Sequence, residues 1–285
     1  MMIGKFFRPM LPMDITNPEQ TVFKHLKEEV AIEPKIDGIR CQLHKLNGDI
    51  VLYTRKGEDI TSKFPEIVKN IQSWPENVVL DGELVCFDKN KILDFYDINR
   101  KLKSGIGSAA FLTFDILYSD GVVYDMPFWR RRELLLSLPI TDHTRPVPQV
   151  ITQSSAELKQ IYISLIKKGF EGIMIKEPDA SYFFNRTWNM KRLKPVRTID
   201  LKVVGMQKGK QDYLIYDLAS KEGLVTKIVT KKEFKIGEIV EVKYGKIIDS
   251  REYSLGKTLR FPIPIRKRND KDGPDSLVRL LGVKR

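Results

Sequence analysis

At 285 residues the chain is long enough to bury a substantial core, as one large domain or two unequal ones. It is 42% hydrophobic and 30% charged, and no apolar run approaches the about 18 residues of a membrane span, so a membrane protein is excluded as an expectation. A net charge of +12 points to a polyanionic partner, and its placement sharpens this: residues 196–285 carry 21 Lys and Arg against 12 Asp and Glu, so nine of the twelve net charges lie in the last third.

In chain order, the N-terminus MMIGKFFRPMLPMDI has neither a long apolar region nor a small-residue cleavage site, which argues against secretion. Asn17 as cap, Pro18 at the first helical position and Gln20 predict a helix carrying Val22, Phe23 and Leu26 on one side. The stretch EPKIDGIR follows. Read as a strand, it sends Lys35 and Asp37 to one face, with Gly38 allowing close approach of a ligand to the backbone. CQLHKL and DIVLYT flank Asn47-Gly48 and predict a hairpin. Further strands are expected at NVVL, GELVCF, FLTFDILY and GIMIK, with Asp81 and Gly82 in a turn. Helices are expected over 65–73, 94–103, 127–138 and 154–168, the last with a Ser154/Glu157 capping box and a stop at Gly169. Cys41 and Cys86, both in apolar alternation, read as buried free thiols that suit a reducing cytosol.

Beyond about Thr198 short strands dominate: IDLKVVGMQ, DYLIYDL, LVTKIVT and EIVEVKYG, which predict a small all-β barrel. The expected division is 1–196 and 197–285. Segments 101–109 and the tail beyond Asp270 are expected to be irregular. The three histidines show no ligand spacing.

Seven segments together resemble the covalent nucleotidyltransferases, and specifically the ATP-dependent DNA ligases of compact viral, phage and bacterial type: KIDGIR, YTRKGEDIT, DGELVCFD, FLTFDILY, EGIMIK, RLKP and RKRNDK. Each is short enough to recur by chance; their shared order makes the likeness. It spans nearly the whole chain and implies an α+β fold: an adenylation (nucleotidyltransferase) domain of antiparallel sheets with flanking helices, then an OB-fold β-barrel. The implied activity is sealing of 5′-phosphate/3′-hydroxyl nicks in duplex DNA, using ATP and magnesium, with manganese as a substitute. A cytoplasmic monomer is implied, and a recruitment partner is left open.

The resemblance also implies roles. Lys35 is the nucleophile; because a free lysine has a pKa of about 10.4, its site must favour the neutral amine. Asp37 sits by the phosphates or the metal, and Arg40 contacts the ribose or the nick phosphate. Glu33 reads the adenine amino group, Arg55 binds phosphate, Glu83 holds the ribose hydroxyls and Phe114 stacks on the purine, while Phe111 is core. Asp37, Glu83 and Glu171 are the metal carboxylates. Lys176 and Lys194 bind the α-phosphate. Where the family has Lys-x-Lys before the proline, this chain has Arg192-Leu-Lys194, so either Arg192 takes the first basic role or the register shifts to Lys191. Arg268 and Lys271 orient the pyrophosphate. An RNA ligase or a guanylyltransferase shares the KxDG motif, but EGIMIK, GEDIT and FPEI speak for a DNA ligase. A basic nucleic-acid-binding scaffold without activity is the non-enzymatic alternative.

Overall fold

The computed structural model describes residues 5–15, 18–19, 21–22, 28–72, 74, 77–88, 91–92, 95–105 and 107–281. The chain splits into two compact units, Met1–Pro195 and Val196–Arg285. The helix expected from Asn17 through Leu26 falls largely outside the described residues. No helix among those described is long and apolar enough to cross a membrane.

Strands of the first unit, in chain order, are β1 (Leu11–Asp14), β2 (Val30–Pro34), β3 (Ile39–Leu46), β4 (Asp49–Thr54), β5 (Val78–Asp88), β6 (Lys91–Ile92), β7 (Ala109–Ser119), β8 (Thr144–Pro146), β9 (Val150–Thr152), β10 (Ile173–Lys176) and β11 (Arg186–Leu193). They form two sheets. One has the order β1-β11-β10-β2-β9; the other runs β4-β3-β5-β7-β8, with β6 paired to β5. Most pairings are antiparallel as expected, but β1–β11 and β7–β8 are parallel. The hairpin turn between β3 and β4 forms as its sequence predicts, with Asn47 and Gly48 both at positive φ (53° and 87°).

Helices α1 (Pro65–Ile71), α2 (Phe95–Ser104) and α3 (Phe128–Ser137) flank the second of these sheets, and α4 (Ser155–Lys167) packs on the first. Leu43, Leu80, Phe111, Ile67, Ile98 and Leu135 share one core, whereas Ile32, Ile173, Ile175 and Leu158 form another. The cap of α4 is half of the expected box. Ser154 accepts from the Glu157 N–H at 3.3 Å, but the Glu157 carboxylate accepts from the Thr152 hydroxyl, whose oxygen in turn takes the Ser154 N–H at 3.0 Å. The helix expected over 94–103 and the irregular segment expected over 101–109 overlap, and helix continues through Ser104, with Lys101 buried against Glu66 at 3.0 Å.

Two sequence expectations change here. NVVL and GELVCF are one uninterrupted strand, so Asp81-Gly82 is strand interior rather than a turn. Gly82 is there because a Cβ would lie 2.5 Å from the Phe111 ring and 2.6 Å from the Leu112 carbonyl. Lys35–Gly38, for its part, is the connection between β2 and β3, not strand. What Gly38 admits is the Leu84 carbonyl of β5, 2.2 Å from where its Cβ would be. The glycine thus clamps the lysine loop to the second sheet.

The second unit contains β12 (Arg197–Lys208), β13 (Leu214–Ser220), β14 (Gly223–Thr230), β15 (Ile239–Tyr244), β16 (Lys246–Asp249), β17 (Lys257–Arg260), β18 (Ile263–Lys267) and α5 (Leu277–Leu280). Its antiparallel sheet has the order β14-β13-β12-β15-β18, and β16-β17 is a separate hairpin. Among the described residues the ladder stays open: β18 is an edge strand, and Pro264 within it has no N–H to donate. The expected closed barrel is therefore not completed by hydrogen bonds, although Leu201, Tyr216, Leu218, Val225 and Val240 fill a single interior. The tail is more ordered than expected. Glu222 accepts from the Leu277 N–H at 2.9 Å and from the Ser276 hydroxyl, pinning α5.

Candidate functional site

A cavity of about 330 Å³ opens in the first unit, lined from both sheets. β2 contributes Glu33, its following loop Lys35 and Ile36, β3 Arg40, β5 Glu83, β7 Phe114, β10 Met174 and Lys176, and β11 Met190 and Arg192; Arg55 lies at the end of β4. Segments far apart in sequence meet because β2 pairs with β10 in one sheet while β3, β5 and β7 are neighbours in the other.

The Lys35 loop is fixed from both directions. Its N–H donates to the Gly172 carbonyl at 2.9 Å, and the Glu171 N–H donates to the Lys35 carbonyl at 3.3 Å. This exchange aligns the side chains: the Lys35 ammonium donates to Glu171 Oε2, and the Lys194 ammonium donates to Oε1 of the same carboxylate. Burial works against the charge of Glu171, but Lys35 and Lys194 outweigh it and hold the carboxyl below its ordinary range. Burial pulls Lys194 below a normal lysine, with Lys35 adding to the pull and Glu171 opposing it.

Phe114 has two cations close to its ring. The Arg40 guanidinium lies 5.3 Å from the ring centroid and the Lys176 ammonium 5.1 Å from it. The ring packs against Ile36, Val85, Leu112 and Val147, of which Ile36 and Val147 also line the cavity. Phe111, three residues earlier, is fully buried in the core, as expected. Arg40 is bidentate to Asp81 at 3.0 and 2.6 Å. Burial disfavours its charge, yet Asp81, Tyr182 and Glu83 together raise the guanidinium above its ordinary value.

Glu83 is pushed up to about 7, first by burial and further by Asp81 and Asp37, against the pull of Lys35 and Arg40. Asp37 is close enough to act on Glu83 but does not line the cavity. Among the described residues no three acidic, imidazole or thiolate side chains gather as a metal cage. The trio Asp37, Glu83 and Glu171 therefore does not form one by itself. Its chemistry still fits a hard divalent cation that takes one or two carboxylates and completes its shell with phosphate oxygens and water.

Several expected phosphate or base contacts are paired with protein groups in this structure. Glu33, only 2% exposed, accepts from Lys176 at 2.8 Å and from Gln149 at 2.9 Å. Lys176 also donates to the Phe114 carbonyl at 2.9 Å. On β11, Arg192 lines the cavity and is bidentate to Asp14 at 2.6 and 2.7 Å, while Lys191 pairs with Glu177 at 2.7 Å. Arg192, not Lys191, thus faces the cavity. Arg55 is exposed at the rim. Arg268 and Lys271 belong to the second unit, where both pair with Asp200.

Sequence reasoning missed the polar support behind the site. Asp81, fully buried, accepts from the Tyr182 hydroxyl at 2.6 Å as well as from Arg40, and Tyr182 in turn accepts the Met10 N–H at 2.8 Å. Tyr182 lies 101 residues from Asp81 and carries no local signal. Gln149 is equally silent.

Comparison with known proteins bears on the same segments. A family model described as the ATP dependent DNA ligase domain matches residues 9–194. The DNA ligase of Archaeoglobus fulgidus is 30% identical over 288 residues, covering 85% of this chain and 52% of that protein. The chain spans about half the length of the curated relatives it matches. Among solved structures, one named Pmar-Lig_Pre superposes with a TM-score of 0.73 at 20% identity, over 92% of this chain and 68% of that one. The mycobacterial DNA ligase D complexed with ATP and MES gives 0.58 at 21% identity, over 93% and 96%. These two show likeness of fold, and the matched model settles the family. The chain belongs to the ATP-dependent DNA ligase domain family.

Proposed function

We propose that this chain is an ATP-dependent DNA ligase that seals 5′-phosphate/3′-hydroxyl nicks in duplex DNA. The observation that carries this is one lysine, Lys35, hydrogen-bonded to Glu171 at the wall of a cavity whose other side is an aromatic ring flanked by cations. An adenine stacked on Phe114 directs its phosphates toward that amine. The named likeness to a ligase complexed with ATP supports the choice of nucleotide.

Once the Lys35 ammonium has parted from Glu171 and given a proton to water, the neutral amine attacks the α-phosphorus; a P–N bond forms, the bond to the β-phosphate breaks and pyrophosphate leaves. Lys194 shares Glu171 with Lys35 and exchanges that carboxylate for the incoming phosphate, leaving a fixed cation beside the developing charge. The 5′-phosphate of DNA next attacks the adenylate, breaking the P–N bond and forming a DNA-adenylate. The 3′-hydroxyl then attacks this activated phosphate and AMP departs. Glu83, with its raised carboxyl, suits a hydrogen bond to the ribose. Arg40, Arg55 and Arg192 supply positive charge around the phosphates, and Glu33 with Lys176 forms the polar end of the base site. Glu171, Glu83 and Asp37 would hold a magnesium ion, which would supply charge stabilisation beside the phosphates.

On this reading residues 1–196 are the adenylation domain and 197–285 the OB-fold domain, whose excess of basic residues suits the DNA backbone and whose Arg268 and Lys271 engage the pyrophosphate. The protein works as a monomer in the cytosol, where Cys41 and Cys86, both buried and free, stay reduced. Incubation with labelled ATP, magnesium and singly nicked duplex tests the proposal. Wild type seals the nick and Lys35→Ala does not. Sealing by Lys35→Ala at the wild-type rate, or label transfer from GTP in place of ATP, contradicts it.

A further inference from the structure

The basic run Arg266–Lys271 is internally neutralised. Arg266 pairs with Glu241 and Lys267 with Glu238, both at 2.8 Å. Arg268 is engaged at all three nitrogens: Nε and Nη2 donate to Asp270 at 2.9 and 2.7 Å, and Nη1 donates to both oxygens of Asp200 at 3.1 and 2.8 Å. Lys271 lies 3.2 Å from Asp200 and 3.5 Å from Asp275. Two cations thus share three carboxylates, a cluster of formal charge −1, so that the charge of both is already met by protein groups.

Of the three acids, Asp200 is the buried one, its side chain 5% exposed against 67% for Asp270 and 39% for Asp275. It is also held rigidly. Its N–H donates to Asp275 Oδ2 at 2.9 Å and its carbonyl accepts the Asp275 N–H at 2.7 Å, while β15 pairs along β12 beside it. It is the one carboxylate that binds both cations at once. The hydrogen bond to Asp200 leads the causes that hold Lys271 above its ordinary value.

We propose that Asp200 is a competing carboxylate that keeps Arg268 and Lys271 internally paired, so that the polyphosphate of a nucleoside triphosphate must displace it to engage them. This rests on the reading of those two cations as pyrophosphate contacts. Asp200 then sets the ATP concentration needed for adenylation, and by recapturing both cations it favours release of pyrophosphate once the α–β bond is broken.

The test is the half-saturating ATP concentration for covalent adenylate formation by the full chain, measured for wild type and Asp200→Asn, with a thermal melt to confirm folding. Removing the competitor lowers that concentration by about five- to tenfold. A loss of packing cannot raise affinity, so the direction separates competition from a merely structural role. An unchanged or higher value in folded Asp200→Asn overturns the proposal. If that variant shows no cooperative melt, Asp200→Ser decides, since it also removes the shared carboxylate while the backbone bonds to Asp275 remain; a lower value supports the proposal and an unchanged or higher one overturns it. Failure of the functional reading itself is seen separately, as wild type that forms no adenylate at any ATP concentration.

Discussion

The Lys35 ammonium and the Glu171 carboxylate, 136 residues apart, form a hydrogen-bonded ion pair at the point where the β2–β3 connection meets the start of β10. Two backbone hydrogen bonds between the same segments fix its geometry before any side chain is placed. The pair thus depends on the sheet, and its chemistry can be separated from its architecture by substitution.

Glu171→Gln keeps the shape and one acceptor but removes the charge that Lys35 and Lys194 share. Adenylate formation in a single turnover is expected to fall about 100-fold, with the melting temperature little changed. A rate within twofold of wild type counts against a role for the carboxylate in the reaction.

Phe114 contributes a flat face near Arg40 and Lys176. Phe114→Ala is expected to raise the half-saturating ATP concentration by about tenfold, and Phe114→Tyr to restore most of it. Equal losses in both variants point instead to disturbed packing against Leu112 and Val147.

His44 is 2% exposed and held down to about 4 by burial, well below an ordinary histidine. Between pH 6.5 and 4 the unfolded chain therefore binds a proton that the folded chain refuses. Its contribution to stability is complete above pH 6.5 and is lost as the pH falls toward 4, by up to about 3 kcal/mol. Urea unfolding of wild type and His44→Asn across this window shows it: the variant's stability declines less steeply with acid. Parallel declines contradict the assignment.

Gly82→Ala places a methyl against the Phe111 ring and the Leu112 carbonyl in the middle of β5. A loss of about 3 kcal/mol is expected from overpacking, read as a lower urea midpoint at unchanged slope. Stability equal to wild type means that the strands separate there at little cost.

Much of this was legible in the sequence because the signals were local. Asn47-Gly48 specified its hairpin, Ser154 its helix start, and short strand runs marked the strand-rich second unit. The residues that line the cavity were named from a family likeness, and the sheets bring Glu33, Lys35, Arg40, Arg55, Glu83, Phe114, Lys176 and Arg192 to its walls. What could not be read was pairing. Asp81-Gly82 resembles a turn in one dimension and becomes strand interior only because Phe111 needs room from the neighbouring strand. The partners of Glu33, Arg40 and Arg268 are long-range choices among many charges: Lys176, Asp81 and Asp200 are separated from them by folding rather than by spacing.

The most direct measurement is peptide mapping of the chain after incubation with ATP and magnesium in the absence of DNA. A single AMP adduct on the Lys35 side chain is expected, discharged when nicked duplex is added. An adduct on Lys176, Lys194 or any other residue, or none on a folded protein, contradicts it.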